Sequence, residues 1–214
     1  MSKTQIEKVK AFRALHARPG AFVIPNPWDA GSARLLASLG FEALATTSAG
    51  HAFTLGKKDG DVTRDEAMTH ARRMVDAVDL PVAADLERCF ADDPEEAAKA
   101  IPLAAATGLV GGSIEDASGD PARPIYDFSL AVERVAAAVE AVRRLPVPYV
   151  LTARAENFLH GRPDLDDTIK RLQAFEKAGA EVLFAPGLRT LEQIRAVCGS
   201  VSRPVNVVMG LAGI

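Results

Sequence analysis

The sequence holds only two cysteines, Cys89 and Cys198, among its 214 residues. That is too few for a disulfide framework, and a reducing cytoplasm is the expected compartment. Aromatic residues make up 6% of the chain. No apolar run approaches the ~18–20 residues of a membrane span. Charge of one sign is also missing: the net charge is −3 with acids and bases interspersed, so neither a nucleic acid nor a membrane surface is an expected partner. No Gly-x-Gly-x-x-Gly follows the first strand-like run, which removes the commonest dinucleotide-binding signature. Residues 1–18 alternate charged and apolar positions at helical spacing and read as a helix rather than a signal peptide.

What is present is a repeated unit: a short apolar or β-branched run, a polar loop, then an amphipathic helix. Seven runs read as strands, at 21–26, 43–48, 81–87, 109–116, 149–156, 181–187 and 204–210. Helix starts are well marked between them. Asp29 precedes 30–39, with Gly40 following as a stop. Thr63 with Glu66 and Thr190 with Gln193 have capping-box spacing. Asp93-Pro94-Glu95-Glu96 sets a cap, a first-turn proline and two acids where a helix dipole favours them. Gly108 and Gly179 close two further helices.

Strict alternation of strand and helix implies an α/β protein with a parallel sheet. The position of the polar residues favours a (β/α)8-type TIM barrel over a doubly wound sheet. Ser48, Asp85, Glu87, Glu115, Arg154, Glu156 and Asn206 all fall near the C-terminal ends of predicted strands, where barrel enzymes place their chemistry. A barrel needs eight strands and seven are found. Residues 1–214 are therefore expected to form a single barrel domain that lacks the eighth strand and the C-terminal helices, with its first and last strands unpaired.

Side chains two apart on a strand share a face. Asp85 and Glu87 then point together, Glu115 ends the next strand on that face, and Thr152, Arg154 and Glu156 follow at alternate positions. Three carboxylates brought together repel, and a hard divalent cation relieves them most cheaply. Mg²⁺ takes one or two carboxylates directly and keeps several waters, which suits a sparse acidic cluster; Mn²⁺ is the alternative ion. Arg154 among the acids reads as a clamp for a carboxylate or a developing oxyanion. For any single acid an ordinary loop-top ion pair is the simpler reading; the set of successive strand ends is what favours a site.

These segments together resemble the isocitrate lyase/phosphoenolpyruvate mutase superfamily, in particular its phosphonomutase-like branch. The resemblance rests on Pro25-Asn26-Pro27-Trp28-Asp29, Ala45-Thr46-Thr47-Ser48-Ala49-Gly50, Ala84-Asp85-Leu86-Glu87, Gly111-Gly112-Ser113-Ile114-Glu115-Asp116 and Leu151-Thr152-Ala153-Arg154-Ala155-Glu156-Asn157. It implies a Mg²⁺-dependent enzyme that makes or breaks a C–C or P–C bond beside a 2-oxo acid, through a metal-stabilised enolate. Asp85 would hold the metal, and Glu87 and Glu115 would hold it largely through water. Ser48 with the amides of Ala49 and Gly50 would bind the substrate carboxylate. Arg154 would face the substrate, and Asp59 would match the acid on the loop after the second strand. The resemblance also implies a homo-oligomer, dimer or tetramer, when full length, with C-terminal helices exchanged between subunits.

Two segments depart from the family pattern. The loop at 117–127 carries neither the cysteine nor the lysines of the superfamily's lyases, which argues against isocitrate or methylisocitrate lyase activity. Arg88-Cys89-Phe90-Ala91 stands where a glycine-rich stretch with an aromatic is expected. The leading expectation is a lyase or decarboxylase acting on an oxaloacetate-like 2-oxo carboxylate. P–C chemistry, by a phosphoenolpyruvate mutase or phosphonopyruvate hydrolase, is second, because Arg123 is the sole basic candidate on that loop. A non-catalytic barrel that binds 2-oxo acids is the alternative of another class. Among the remaining residues, Cys89 and Cys198 read as structural. Trp28 reads either as a pocket wall or as packing under the first helix. His51 and His160 rank low as substrate contacts, and Asn206 reads as a polar contact at the barrel top.

Overall fold

The computed structural model describes residues 3–209. Helix α1 (Gln5–Ala17) begins at a capping box in which Thr4 accepts from Glu7 and Glu7 reaches back to Thr4. Then follow α2 (Ala30–Ser38), β1 (Leu44–Ala45), α3 (Ser48–Thr54), α4 (Arg64–Ala77), β2 (Val82–Ala84), α5 (Pro94–Ala98) and α6 (Ala100–Ala106). The second half comprises β3 (Gly111–Glu115), α7 (Phe128–Arg143), β4 (Val150–Arg154), α8 (Leu165–Ala178), β5 (Val182–Phe184), α9 (Leu191–Ser200) and β6 (Val205–Asn206). The predicted capping boxes at Thr63 and Thr190 both form. Gly179 closes α8 with φ 115, a left-handed value that a Cβ would penalise.

Among the described residues the six strands are all parallel and lie in chain order, β1-β2-β3-β4-β5-β6. A doubly wound sheet reverses its strand order at a switch point, whereas a barrel winds in one direction. This is a half-barrel, and β1 and β6 do not pair with each other.

Three strand expectations need correction. Residues 21–26 run beside β1 but join no ladder. Ala45 donates to the carbonyl of Pro25 at 3.2 Å, and Asn26 donates its amide group to the carbonyl of Ala45 at 3.2 Å. Pro25 and Pro27 have no N–H to return, so the segment cannot pair continuously. Ser48 is likewise no strand end but the first residue of α3, because Thr47 caps the helix one residue earlier. The last predicted strand forms a ladder only at Val205–Asn206, and Gly210 lies outside the described residues.

The main core lies between the sheet and α4–α8, with Leu86, Ile114, Tyr149, Leu151, Leu172 and Phe175 all buried. A smaller core closes the opposite end. Val9, Phe12 and Leu15 of α1 pack on Ala43, Val110, Val150 and Val182, which stand at the N-terminal ends of strands or one residue before them. Each fully buried side chain of this size contributes about 1.5–3 kcal/mol. α1 thus packs on the N-terminal strand ends, opposite the polar residues at the C-terminal ends. The first two positions of β3 leave no room for a side chain: a Cβ on Gly111 would sit 2.5 Å from the carbonyl of Val150, and one on Gly112 would sit 2.4 Å from the Tyr149 hydroxyl.

Candidate active site

Arg154, the last residue of β4, stands in register with Glu115, the last residue of β3. Its guanidinium contacts three carboxylates. Nη1 lies 3.0 Å from Oδ1 of Asp85, Nε 2.7 Å from Oε1 of Glu156, and Nη2 3.4 Å from Oε2 of Glu115. Below it lies the ring of Phe184, 5.1 Å from the guanidinium carbon and opposite Arg154 on β5. All four charged side chains are largely buried, Glu156 most completely. Burial lowers the Arg154 pKa, but the charges of Asp85, Glu156 and Glu115 outweigh it and raise it above its ordinary value.

Asp85 is the hub of the constellation. Its Oδ2 accepts from the backbone of Ser48 at 3.3 Å and from the Ser48 hydroxyl at 3.1 Å. Its Oδ1 accepts from the amide of Glu87 at 3.2 Å in addition to Arg154, while its own amide donates to Thr46 Oγ1 at 3.0 Å. Burial pushes the Asp85 carboxyl up, but Arg154 and the bonds from Glu87 and Ser48 hold it below its ordinary value.

Glu87 does not continue the pleat of β2, which ends at Ala84. Its backbone is left-handed, with φ 50, as are Cys89 at φ 59 and Phe90 at φ 63. Three non-glycine residues within four positions of this turn take the conformation that favours glycine. Oε1 of Glu87 is buried without a hydrogen-bond partner. Burial, then the charges of Asp85 and Asp59, push its pKa up to about 7. The carboxyl of Glu115 is pushed up as well, first by burial and then by Glu156, Asp85 and Glu87, against the pull of Arg154.

Three carboxyl groups thus surround one guanidinium, with Glu87 beside Asp85, and Glu87, Glu115 and Glu156 are all pushed toward the protonated form. Such a set takes up a cation and releases protons when it does. Among the described residues no three His, Cys, Asp or Glu side chains form a ready-made coordination cage. One direct carboxylate, with the other acids reaching through water, is nevertheless what Mg²⁺ accepts. The orphaned Oε1 of Glu87 and the excess of acid therefore fit a divalent ion.

The rim is built from loops and α3. A Cβ on Gly50 would sit 2.4 Å from the Trp28 ring, so the glycine lets the indole lie against the first turn of α3. Trp28 also contacts Phe53, with ring centroids 5.8 Å apart, and remains half-exposed. It lies against α3 rather than buried beneath a helix. The amide of Gly50 is engaged by Thr47 Oγ1 at 3.2 Å. Asp59 is exposed, on the loop whose Gly60 amide reaches Glu87. Asn206 is half-buried and in register with Phe184, two strands from Arg154. His51 stacks on His70 at 3.8 Å, and both line a cavity shared with Ser48, Asp85 and Glu87. His160 reaches only to 4.0 Å from Glu156.

The 117–127 loop folds on itself. Ala117 bridges Ile125, and Ser118 donates to the Pro124 carbonyl at 3.0 Å. Arg123 pairs with Asp120 at 3.6 Å and is 86% exposed, so it points to solvent and not to the site. Sequence reasoning placed Glu156 on the site face but missed that it is the nearest partner of Arg154. It missed Phe184 entirely, since only the β4–β5 register puts that ring beneath the guanidinium. The buried Asp116, which accepts from the amide of Glu156 at 2.8 Å and from Arg171 at 3.0 Å, was also missed.

A half-barrel that collects acids and one arginine at its C-terminal strand ends has the architecture of a barrel enzyme. The chain belongs to the phosphoenolpyruvate phosphomutase family, whose sequence model matches residues 12–213, and so to the isocitrate lyase/phosphoenolpyruvate mutase superfamily of lyases and mutases. A crystal structure from Burkholderia cenocepacia J2315, provisionally called a lyase/mutase, is 60% identical with a TM-score of 0.95, covering 98% of this chain and 75% of that one. The 2-methylisocitrate lyase of Escherichia coli K12 is 30% identical over 92% of this chain and 68% of its own. An oxaloacetate acetylhydrolase solved with its product oxalate is 26% identical with a TM-score of 0.87, over 96% of this chain and 72% of that one. Among the described residues no helix is long and apolar enough to cross a membrane.

Proposed function

We propose that this enzyme is a Mg²⁺-dependent lyase or decarboxylase acting on a small 2-oxo carboxylate of the oxaloacetate class. The observation that carries the reading is Arg154, held charged among Asp85, Glu115 and Glu156 at the open end of the half-barrel. A cation fixed in a largely buried, low-dielectric setting is suited to a carboxylate or to the negative charge that grows on the 2-oxo oxygen as the adjacent bond breaks. Asp85 would hold the metal directly, with Glu87 and Glu115 acting through water. The bound ion would supply a Lewis acid that polarises the 2-oxo group. Ser48 and the first turn of α3, Ala49 and Gly50 included, would take the substrate carboxylate. Trp28 would cover it, Asn206 would line the far rim, and Asp59 would close the side nearest Glu87.

The likeness to an oxaloacetate acetylhydrolase supports the substrate class. P–C bond chemistry is less well supported, because Arg123 turns to solvent. Methylisocitrate cleavage lacks a proton donor, since no cysteine or lysine stands on the 117–127 loop. An NMR turnover screen with Mg²⁺ across oxaloacetate, phosphonopyruvate, methylisocitrate and phosphoenolpyruvate tests the reading. Consumption of oxaloacetate that stops in EDTA is expected. Turnover of phosphonopyruvate alone would overturn it.

A further inference from the structure

Arg134 of α7 is a charged side chain only 1% exposed, and among the described residues no carboxylate pairs with it. Two of its guanidinium nitrogens bond to the main chain of one loop, while Nε is buried without a partner. Nη1 donates to the carbonyl of Ala91 at 2.6 Å and also to that of Asp92, while Nη2 donates to that of Arg88. The Tyr126 ring lies 4.4 Å from the guanidinium carbon. Tyr126 in turn donates its hydroxyl to Asp92 Oδ1 at 2.6 Å, and its carbonyl accepts from Arg171 at 2.9 Å. The loop gathered in this way contains the left-handed Cys89 and Phe90 and continues directly from the left-handed Glu87.

A buried cation without a counter-charge is costly unless its donors are used, and a left-handed non-glycine backbone persists only where its surroundings impose it. The two costs offset each other here, because three carbonyls turned toward one guanidinium require the loop to keep its curl. We infer that Arg134 is a positioning residue for the candidate metal site: by clamping the carbonyls of Arg88, Ala91 and Asp92 it sets the backbone of Glu87 and so aims the Glu87 carboxylate. The Tyr126 ring couples this clamp to the end of the 117–127 loop, so both loops flanking the site depend on one side chain. The inference rests on the proposed role of Asp85 and Glu87 in holding the ion.

The test compares wild type with Arg134→Lys, which keeps the charge but replaces a planar five-donor group by one ammonium that cannot span three carbonyls. Two readouts are taken on each protein: amide hydrogen exchange across residues 87–90 without metal, and Mn²⁺ binding by electron paramagnetic resonance. Exchange is expected to be at least tenfold faster in the variant, Mn²⁺ affinity about tenfold or more weaker, and unfolding still cooperative. Unchanged exchange at 87–90 overturns the inference whether or not metal binds, and so does faster exchange with Mn²⁺ affinity within twofold of wild type. Wild-type protein that fails to bind Mn²⁺ overturns the metal reading of the site, and with it this role for Arg134. Should Arg134→Lys not fold, Tyr126→Phe, which removes only the bond to Asp92, is expected to speed exchange at least threefold; no change would again refute the clamp.

Discussion

Arg154 on β4 donates to Asp85, beyond the end of β2, at 3.0 Å and so reaches across the whole of β3. The two residues are 69 positions apart in sequence. The contact, with the hydrogen bonds from Glu87 and Ser48, holds Asp85 low despite its burial, whereas burial and neighbouring carboxylates push Glu87, Glu115 and Glu156 up, the last two in spite of Arg154.

Replacing Arg154 by Met should cost activity and stability together. Loss of a preorganised charge at the reacting centre is worth about 10²–10³ in kcat. Leaving buried carboxylates without their partner costs about 3–5 kcal/mol of folding stability, offset in part where they protonate instead. Steady-state kinetics and urea unfolding at pH 8 read the two effects. An Arg154→Met protein with wild-type turnover would remove Arg154 from the mechanism.

Asp85→Asn keeps the shape but loses the charge that both Arg154 and a divalent ion need. Turnover and Mg²⁺ binding should disappear in step, with binding followed by calorimetry. Binding that survives while turnover is lost would assign the ion to other residues.

The titration of Glu87 should be visible in stability. Its folded pKa is raised from 4.5 to about 7, so the folded state binds its proton more tightly than the unfolded chain does. Its contribution is therefore fully present below about pH 4.5 and is lost as pH rises through 7. Asp85, held low, acts in the opposite sense at acid pH. The difference between wild type and Glu87→Gln in urea midpoint, measured without metal from pH 4.5 to 7.5, isolates the Glu87 part. That difference should shift against the wild type as pH rises across the window. A difference flat with pH would show that Glu87 titrates normally.

Cys89 is buried, and burial pushes its thiol up to about 12, far from a reactive thiolate. Cys198 is exposed. A thiol reagent applied to native protein should therefore label about one cysteine quickly, at Cys198, without loss of activity. Cys89→Ser should leave turnover within about threefold, a barrier change under ~1 kcal/mol. Rapid inactivation by labelling at Cys89 would contradict the buried placement.

Sequence and tertiary structure divided the work by distance along the chain. The helix starts at Thr63, Asp93 and Thr190 were readable because a cap and its partner lie within three residues of each other. The β-α rhythm, and with it the barrel, was readable because hydrophobic period and turn chemistry are local. The acids near strand ends were recognisable for the same reason. Which acid meets which base was not. Glu156 rather than Glu115 is nearest to Arg154, Phe184 lies beneath it, and Arg134 governs a loop more than forty residues earlier. Each of these depends on the register of parallel strands joined by long helical crossovers, or on a helix packed over a loop, and no short-range pattern encodes either. The left-handed turn at Glu87–Phe90 belongs to the same class. Local preference for these residue types opposes it, and the Arg134 guanidinium that α7 brings against the loop's carbonyls outweighs that preference only after the half-barrel has assembled.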